Sequence, residues 1–281
     1  MELAGKTALV TGAASGIGFA MSRRFGEAGM TVVMADIEAD TLDVAATQLA
    51  DDGAKIEAVI CDVRSDESVK HAVEVAVGHG GLHVLCNNAG VSGGGQSWNS
   101  TEEDWQWVID VNLHGVARGV RHGVPVMIEQ GEGHVVNTSS MAGITAMPST
   151  AVYSASKHAV VAMTEILNHD LAVAGHSGIG VSVLCPGWVV TNLMESERNR
   201  PGGPRDVEDE DVPEVQAAFR EAVVSAFNRG KSPDEIAQMV HDAVVDNRFW
   251  IITHDDWFPG AVGRAKDLVD QRNPEVRFWP M

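Results

Sequence analysis

Along the chain, apolar positions alternate between two spacings. Short apolar or β-branched runs stand at Thr7 to Val10, Thr31 to Ala35, Ile56 to Cys61, Val84 to Cys86, His134 to Thr138, Gly180 to Leu184 and Phe249 to Thr253. They read as continuous rather than alternating, the mark of strands covered on both faces. Between them lie helix-spaced segments: Gly16 to Glu27, Asp40 to Asp51, Asp66 to Val77, Glu102 to Glu129, Tyr153 to Ala174 and Pro233 to Val245. Ser232 as N-cap, Pro233 at the first helical position and Glu235 three residues on mark a capped start. The βαβα order predicts an α/β fold, a doubly wound parallel sheet of about seven strands with helices on both faces.

One stretch breaks the pattern. Residues 195–228 open on Arg200-Pro201-Gly202-Gly203-Pro204 and run into the acidic cluster Asp206-Val207-Glu208-Asp209-Glu210-Asp211 before turning helical from Ala217 to Phe227. Proline, glycine and self-repelling carboxylates predict a mobile loop for the first half. Lying after the last-but-one strand, an insert over about 192–230 is placed to act as a substrate lid, with a solvated loop as the bland alternative. The whole of 1–281 reads as one domain, with a C-terminal extension over about 255–281.

Composition narrows the partners. The chain has 281 residues, 44% of them hydrophobic and 21% charged, the profile of a globular protein with one large core. A formal charge of −19 argues against nucleic acid or an anionic membrane as partner, because both would be repelled. No apolar stretch reaches the roughly 20 residues that span a bilayer, and no cleavable signal precedes Lys6, so the expected place is the cytoplasm. Cys61, Cys86 and Cys185 each close an apolar run and read as buried thiols, and the eleven histidines show no metal-ligand spacing. No metal is expected.

Chemistry enters at two places. The first is the turn Thr11-Gly12-Ala13-Ala14-Ser15-Gly16-Ile17-Gly18, which leaves one predicted strand and opens a helix. There Gly12, Ser15, Gly16, Ile17 and Gly18 can turn tightly, approach a pyrophosphate and present helix N-terminal amides to it. Asp36 ends the second strand 18 residues beyond Gly18, where a carboxylate accepts hydrogen bonds from an adenosine ribose and repels the extra phosphate of NADP. No Arg or Lys stands at Ala13, Ala14, Ser15 or Ile37 to offset it, so NAD is expected over NADP. Asp62 and Val63, after the third strand, are placed to flank the adenine, and Asn88, Ala89 and Gly90, after the fourth, to meet the nicotinamide ribose.

The second place is Tyr153-Ser154-Ala155-Ser156-Lys157. Four residues apart on a helix, Tyr153 and Lys157 share a face, so an ammonium can stabilise a phenolate. Tyr153 is the chain's only tyrosine. Free tyrosine titrates near 10, so acting as a base near neutrality takes a shift of about 3 units, or about 4 kcal/mol.

The TGxxxGIG turn, Asn87-Asn88-Ala89-Gly90, Ser140, YxASK at 153–157 and PGxxxT at 186–191 occur in order between about residues 5 and 192. Together they resemble the short-chain dehydrogenase/reductase family. The resemblance implies a Rossmann-type sheet, a nicotinamide cofactor, and a catalytic set that falls on Asn112, Ser140, Tyr153 and Lys157. Ser140 rather than Ser139 fills the serine position because it precedes the tyrosine by thirteen residues. Asn112, unusual inside a helix, would hold a water beside the lysine. Tyr153 and Lys157 would also contact the cofactor, Ser140 would bind the substrate oxygen, and Pro186, Gly187, Val189 and Thr191 would cover the nicotinamide.

A substrate wall of Ser140, Met141, Met147, Tyr153, Trp188 and Met194, with the lid helix near Phe219, is mostly apolar and methionine-rich. It favours a hydrophobic secondary alcohol or ketone, cyclic and steroid- or terpene-like rather than a sugar. Apolar residues of the long helices, Val160, Val161, Met163, Ile166 and Leu167, exceed what one sheet covers. Relatives pair these helices across a two-fold axis, so a dimer or homotetramer is expected. Trp257, Phe258, Phe278 and Trp279 either close the subunit or reach a neighbour. Two other functions stay open, a cofactor-sensing protein without turnover and an epimerase or dehydratase of the same fold.

Overall fold

The computed structural model describes residues 1–204, 214–278 and 280, and for residues 214–220 the backbone alone. Strands β1 (Thr7–Thr11), β2 (Thr31–Asp36), β3 (Lys55–Ile60), β4 (Val84–Asn87), β5 (Gly133–Thr138), β6 (Ile179–Cys185) and β7 (Trp250–Ile252) form one parallel sheet in the order β3-β2-β1-β4-β5-β6-β7. The helices are α1 (Gly16–Glu27), α2 (Ala39–Asp51), α3 (Asp66–Gly78), α4 (Glu102–Ile109), α5 (Gly115–Gln130), α6 (Ala151–Val173), α7 (Glu214–Asn228), α8 (Pro233–Asp246) and α9 (Phe258–Val269). The strand order reverses between β1 and β4, which opens a crevice at the carboxyl ends of these two strands.

The reason the central strands read as unbroken apolar runs is visible in their packing. Ala8 and Val10 of β1 and Val32 and Met34 of β2 face Met21, Phe25, Leu42, Leu49, Ile236 and Val240 of α1, α2 and α8. Their neighbours Leu9, Val33 and Ala35 face Val69, Val73, Trp107, Val108 and Met127 of α3, α4 and α5. The third strand departs from that reading. As an edge strand it is largely exposed, with only Val59 of its six residues buried and Ile60 open to solvent.

Two further expectations change. The segment Glu102 to Glu129 is not one α-helix, because a π-helical turn, Asp110–His114, separates α4 from α5. Inside it the Asn112 amide bonds both backbone groups of Val91, accepting from its N–H at 2.8 Å and donating to its C=O at 2.9 Å. The start of the insert is likewise structured, as a short 3₁₀ segment Asn192–Asn199 kinked at Glu195. The acidic cluster at 206–211 lies outside the described residues, and the helix expected from Ala217 lies within α7. Cys61, Cys86 and Cys185 are buried and free. Among the described residues no helix is long and apolar enough to cross a membrane.

Candidate active site

At the carboxyl edge a cleft of about 710 Å³ runs from Asp36 and Asp62, past the glycine-rich turn, to Tyr153, Trp188 and Trp257. Its floor is the junction of β1 and β4. The Thr11 hydroxyl accepts from the N–H groups of Asn88 (2.9 Å) and Ala89 (3.1 Å), and the Asn88 amide donates to the Thr11 carbonyl (3.0 Å). Gly12 sits at φ +67°, and a Cβ there would lie 2.8 Å from the Ala89 Cα; one on Gly16 (φ +56°) would press on the Thr191 side chain. Ser15 leaves the N-terminus of α1 without a side-chain cap, whereas α3, α4 and α8 are all capped. The amides over Gly16 and Ile17 are therefore open to an anion in the cleft.

Gly18 differs from the other glycines. It does not line the cleft, and a Cβ there would fall 1.9 Å from the Gly12 carbonyl oxygen. The missing side chain lets α1 pack against the turn. At the far end the Asp36 carboxylate accepts from Ala14 N–H (2.9 Å) and Glu38 N–H (3.0 Å), which fixes its orientation towards the cleft. Burial pushes its pKa up, against the pull of those backbone bonds. Asp62 is clasped by Arg64. Val63, Gly90, Pro186, Gly187, Val189 and Thr191 also line the cleft, and the Gly187 N–H points at Thr253 Oγ1 and His254 Nδ1, each at 3.2 Å.

Tyr153 lies in the first turn of α6, with Lys157 one turn later. The ammonium is 5.7 Å from the phenol ring centroid and donates to the Thr138 carbonyl at 3.0 Å. Ser140, just beyond β5, is held by the Ala142 N–H (3.1 Å) and the Pro186 carbonyl (3.3 Å), and it lines the cleft with Tyr153. Ser139 points the other way, into a bond with the Lys157 carbonyl that seats α6 on β5. Burial pushes the Tyr153 pKa up to about 12, opposed by Ser140. It pulls Lys157 down to about 8.

Asn112 lies behind this group and does not line the cleft. Its amide is engaged by Val91 and by Ser156 Oγ (3.2 Å), so it steadies the backbone beside Gly90 and the first turn of α6. Met141, expected in the substrate wall, cannot reach a substrate. It is fully buried, in a cluster with Val161, Val183 and Cys185, because the turn after Ser140 points it into the core. Met147, Trp188 and Met194 do line the cleft. The Phe219 side chain lies outside the described residues.

For Trp257 the structure decides between the two alternatives left open by the sequence, while other lining residues carried no sequence signal. Trp257 closes this subunit's own cleft, with its ring 5.4 Å from that of Trp188, and Phe227 packs on the other side of Trp188 at 4.9 Å. The abundance of C-terminal aromatics was the available signal, but aromatic content carries no direction. Arg198 and Asn199 reach the cleft from the segment after β6, and no local pattern marked them.

These residues fit a dinucleotide: Gly12, Gly16 and the open N-terminus of α1 would hold a pyrophosphate, and the Asp36 carboxylate would accept from a ribose. A family model described as short chain dehydrogenase matches residues 6–202. The chain is 34% identical over 97% of its length to a CLA biosynthesis dehydrogenase/reductase of Lactiplantibacillus plantarum, covering 96% of that protein. It is also 34% identical over its full length to a 1-deoxy-11-beta-hydroxypentalenate dehydrogenase of Streptomyces exfoliatus, covering 96% of it. A short-chain dehydrogenase/reductase from Burkholderia phymatum, solved in complex with NAD, superposes with a TM-score of 0.93 at 38% identity, covering 100% of both chains. With its glycine-rich turn at the switch point and its Ser, Tyr and Lys on one cleft, the chain belongs to the short-chain dehydrogenase family of oxidoreductases.

Proposed function

We propose that the protein is an NAD(H)-dependent dehydrogenase interconverting a hydrophobic, cyclic secondary alcohol and its ketone. The observation that carries this is the convergence of Ser140, Tyr153 and Lys157 on one cleft with the glycine-rich turn. Tyr153 exchanges the carbinol proton, Ser140 holds the substrate oxygen beside it, and Lys157 stabilises the phenolate. A nicotinamide bound in the cleft would supply the hydride acceptor or donor for the carbinol carbon.

Magnitudes locate the work that the residues must do. Burial alone moves the phenol away from acting as a base, up to about 12. A charged Lys157 at 5.7 Å offsets about 3 kcal/mol at an effective dielectric near 20, about 2 pKa units. That leaves the phenol at about 10, so reaching neutrality needs about 3 further units, or about 4 kcal/mol, and a substrate hydroxyl donating to the phenolate, with the positive charge of an oxidised nicotinamide, would supply part of it. Lys157 must be protonated to contribute, so its depressed pKa of about 8 sets an upper pH limit on this assistance.

The NAD preference rests on Asp36, oriented by two backbone N–H groups, and is supported by the NAD complex of the Burkholderia relative. The terpene-like substrate class is supported by the apolar end formed by Met147, Trp188, Phe227 and Trp257, and by the name of the Streptomyces relative. Three free buried thiols suit a reducing, cytoplasmic setting.

The test follows NADH and NADPH formation in parallel over panels of apolar cyclic alcohols and polyols. Wild type is expected to reduce NAD with cyclic alcohols, and Tyr153→Phe to lose about 10³-fold or more in kcat while still binding NADH. Binding of NADH without turnover of any alcohol or ketone would move the reading to the cofactor-sensing protein, and a preference for polyols would overturn the substrate class.

A further inference from the structure

The adenosine end of the cleft carries two arginines that face it, and each is tied to a carboxylate. Arg64 holds Asp62 through Nε (3.0 and 3.1 Å) and Nη2 (2.7 Å). Arg198, from the 3₁₀ segment after β6, reaches across to the turn that follows β2. Its Nε donates to Glu38 Oε1 at 3.0 Å, and its Nη2 lies 2.7 Å from the same oxygen. Its Nη1 donates to the carbonyls of Asn192 (3.2 Å) and Glu195 (2.9 Å). A guanidinium has five N–H donors, so most of this one is committed, and the edge aimed at β2 is committed to Glu38.

Glu38 is held as firmly. Asn199 donates to its Oε1 at 2.7 Å and Thr41 to its Oε2 at 3.3 Å. Burial raises its pKa, but the bonds to Asn199 and Arg198 outweigh this and keep the carboxyl below the usual range. Its backbone N–H, two residues beyond Asp36, is one of the two donors that orient the Asp36 carboxylate. Asp36, Glu38, Arg198 and Asn199 all line the same part of the cleft.

We propose that Glu38 is a second cofactor-selecting residue, which acts by occupying the Nε and Nη2 edge of Arg198 and so withholds that arginine from a ribose 2′-phosphate. The proposal rests on the reading that the cleft takes NAD through Asp36. Planar, bidentate recognition of phosphate is what arginine does best, and a guanidinium lining the adenosine end would otherwise favour NADP. The carboxylate at Asp36 repels the extra phosphate, and the carboxylate at Glu38 removes the cation that would offset that repulsion. Arg198 is left to pin the segment after β6 over the adenosine end.

The experiment is a double-mutant cycle read by fluorescence titration of the purified protein with NADH and with NADPH. Glu38→Ala is expected to bind NADPH about tenfold tighter than wild type, the scale of one or two charge-assisted hydrogen bonds, while its NADH affinity stays within about twofold. Arg198→Ala gives no gain for NADPH, and Glu38→Ala/Arg198→Ala loses the gain. Glu38→Gln, which keeps the shape of the side chain, should show a smaller gain in the same direction and carries the test if the alanine variant melts early. An NADPH affinity unchanged in both Glu38 variants would overturn the proposal. So would a gain that survives in the double variant, since the effect would then be loss of a negative charge and not release of Arg198. Wild type binding NADPH as tightly as NADH would defeat the Asp36 reading separately, with the 38–198 coupling still legible in the cycle.

Discussion

Burial acts on single ionisable groups here in ways that function must offset and stability must register. Lys157, 3% exposed, and Tyr153 are both driven towards their neutral forms, so the proposed proton exchange requires charge stabilisation that burial alone opposes. His134 on β5 shows the same effect away from the cleft. It is 2% exposed, with Nε2 2.7 Å from Ser182 Oγ, and burial, followed by the nearby N-terminal charge, pulls its pKa down to about 4. Between about pH 6.5 and 4 the unfolded chain binds a proton at this position that the folded protein refuses. Stability therefore falls as pH drops through that window, by about 3 kcal/mol if His134 acts alone, and the loss is complete below about 4. Urea unfolding at pH 7 and pH 4 checks this, since His134→Gln should lose less stability than wild type between those values. An equal loss in both proteins would mean that carboxylates, not His134, set the acid limb.

At the level of elements, the π-helical turn at Asp110–His114 links the α4–α5 arm to the loop after β4. The Asn112 side chain fills two backbone valences of Val91 that have no strand partner. Asn112→Ala would leave both buried and unpaired, at about 2–4 kcal/mol. The expected result is a lower urea midpoint together with weaker NADH binding, because Gly90 lies beside both Asn112 Oδ1 and Lys157 Nζ; full stability in the variant would refute the bracing role. Gly18→Ala should separate the two glycine roles, since its Cβ meets the Gly12 carbonyl rather than the cleft. Thermal stability should drop even without cofactor. These two residues also mark where sequence reading stopped. Elements with a local cause were legible, as with Ser232-Pro233-Glu235, whose capping box forms as expected, and the β1 turn with its φ-positive Gly12 and Gly16. The π turn was not, because one extra residue in a turn leaves the apolar spacing of Glu102 to Glu129 nearly intact. Met141, fully buried, was illegible for a similar reason, since the direction in which a side chain leaves a turn is decided by packing and not by its position in a motif. Trp257 and Arg198 come from distant chain segments, which no local pattern could bring to the cleft.

For the whole molecule, charge and apolar surface pull in opposite directions. A formal charge of −19 makes any two copies repel, so association requires an apolar face large enough to overcome it. Val160 and Val161, expected to contribute, are buried inside the subunit. What remains is a narrower stripe on α6. Ile166 is 57% and Val173 90% exposed, with Met163 and Leu167 half-buried beside them. Residues 159, 162, 163 and 166 fall at helix spacing on one face, with Val173 on the same face beyond the exposed Asp170, and α6 carries Tyr153 and Lys157 in its first two turns, so pairing through it would stiffen the helix of the proposed acid/base pair. We therefore propose a homo-oligomer, dimer or tetramer, built on this face. Light scattering coupled to size exclusion should find wild type larger than a monomer and Ile166→Arg shifted to smaller species, with cofactor affinity retained. The salt response separates apolar pairing from ionic pairing. If like charges oppose an apolar contact, raising ionic strength from about 0.01 to 0.5 M, which shortens the Debye length from about 30 Å to a few ångströms, should tighten the assembly. Dissociation by salt would instead mean that ion pairs hold the copies together and that the α6 stripe is not the interface.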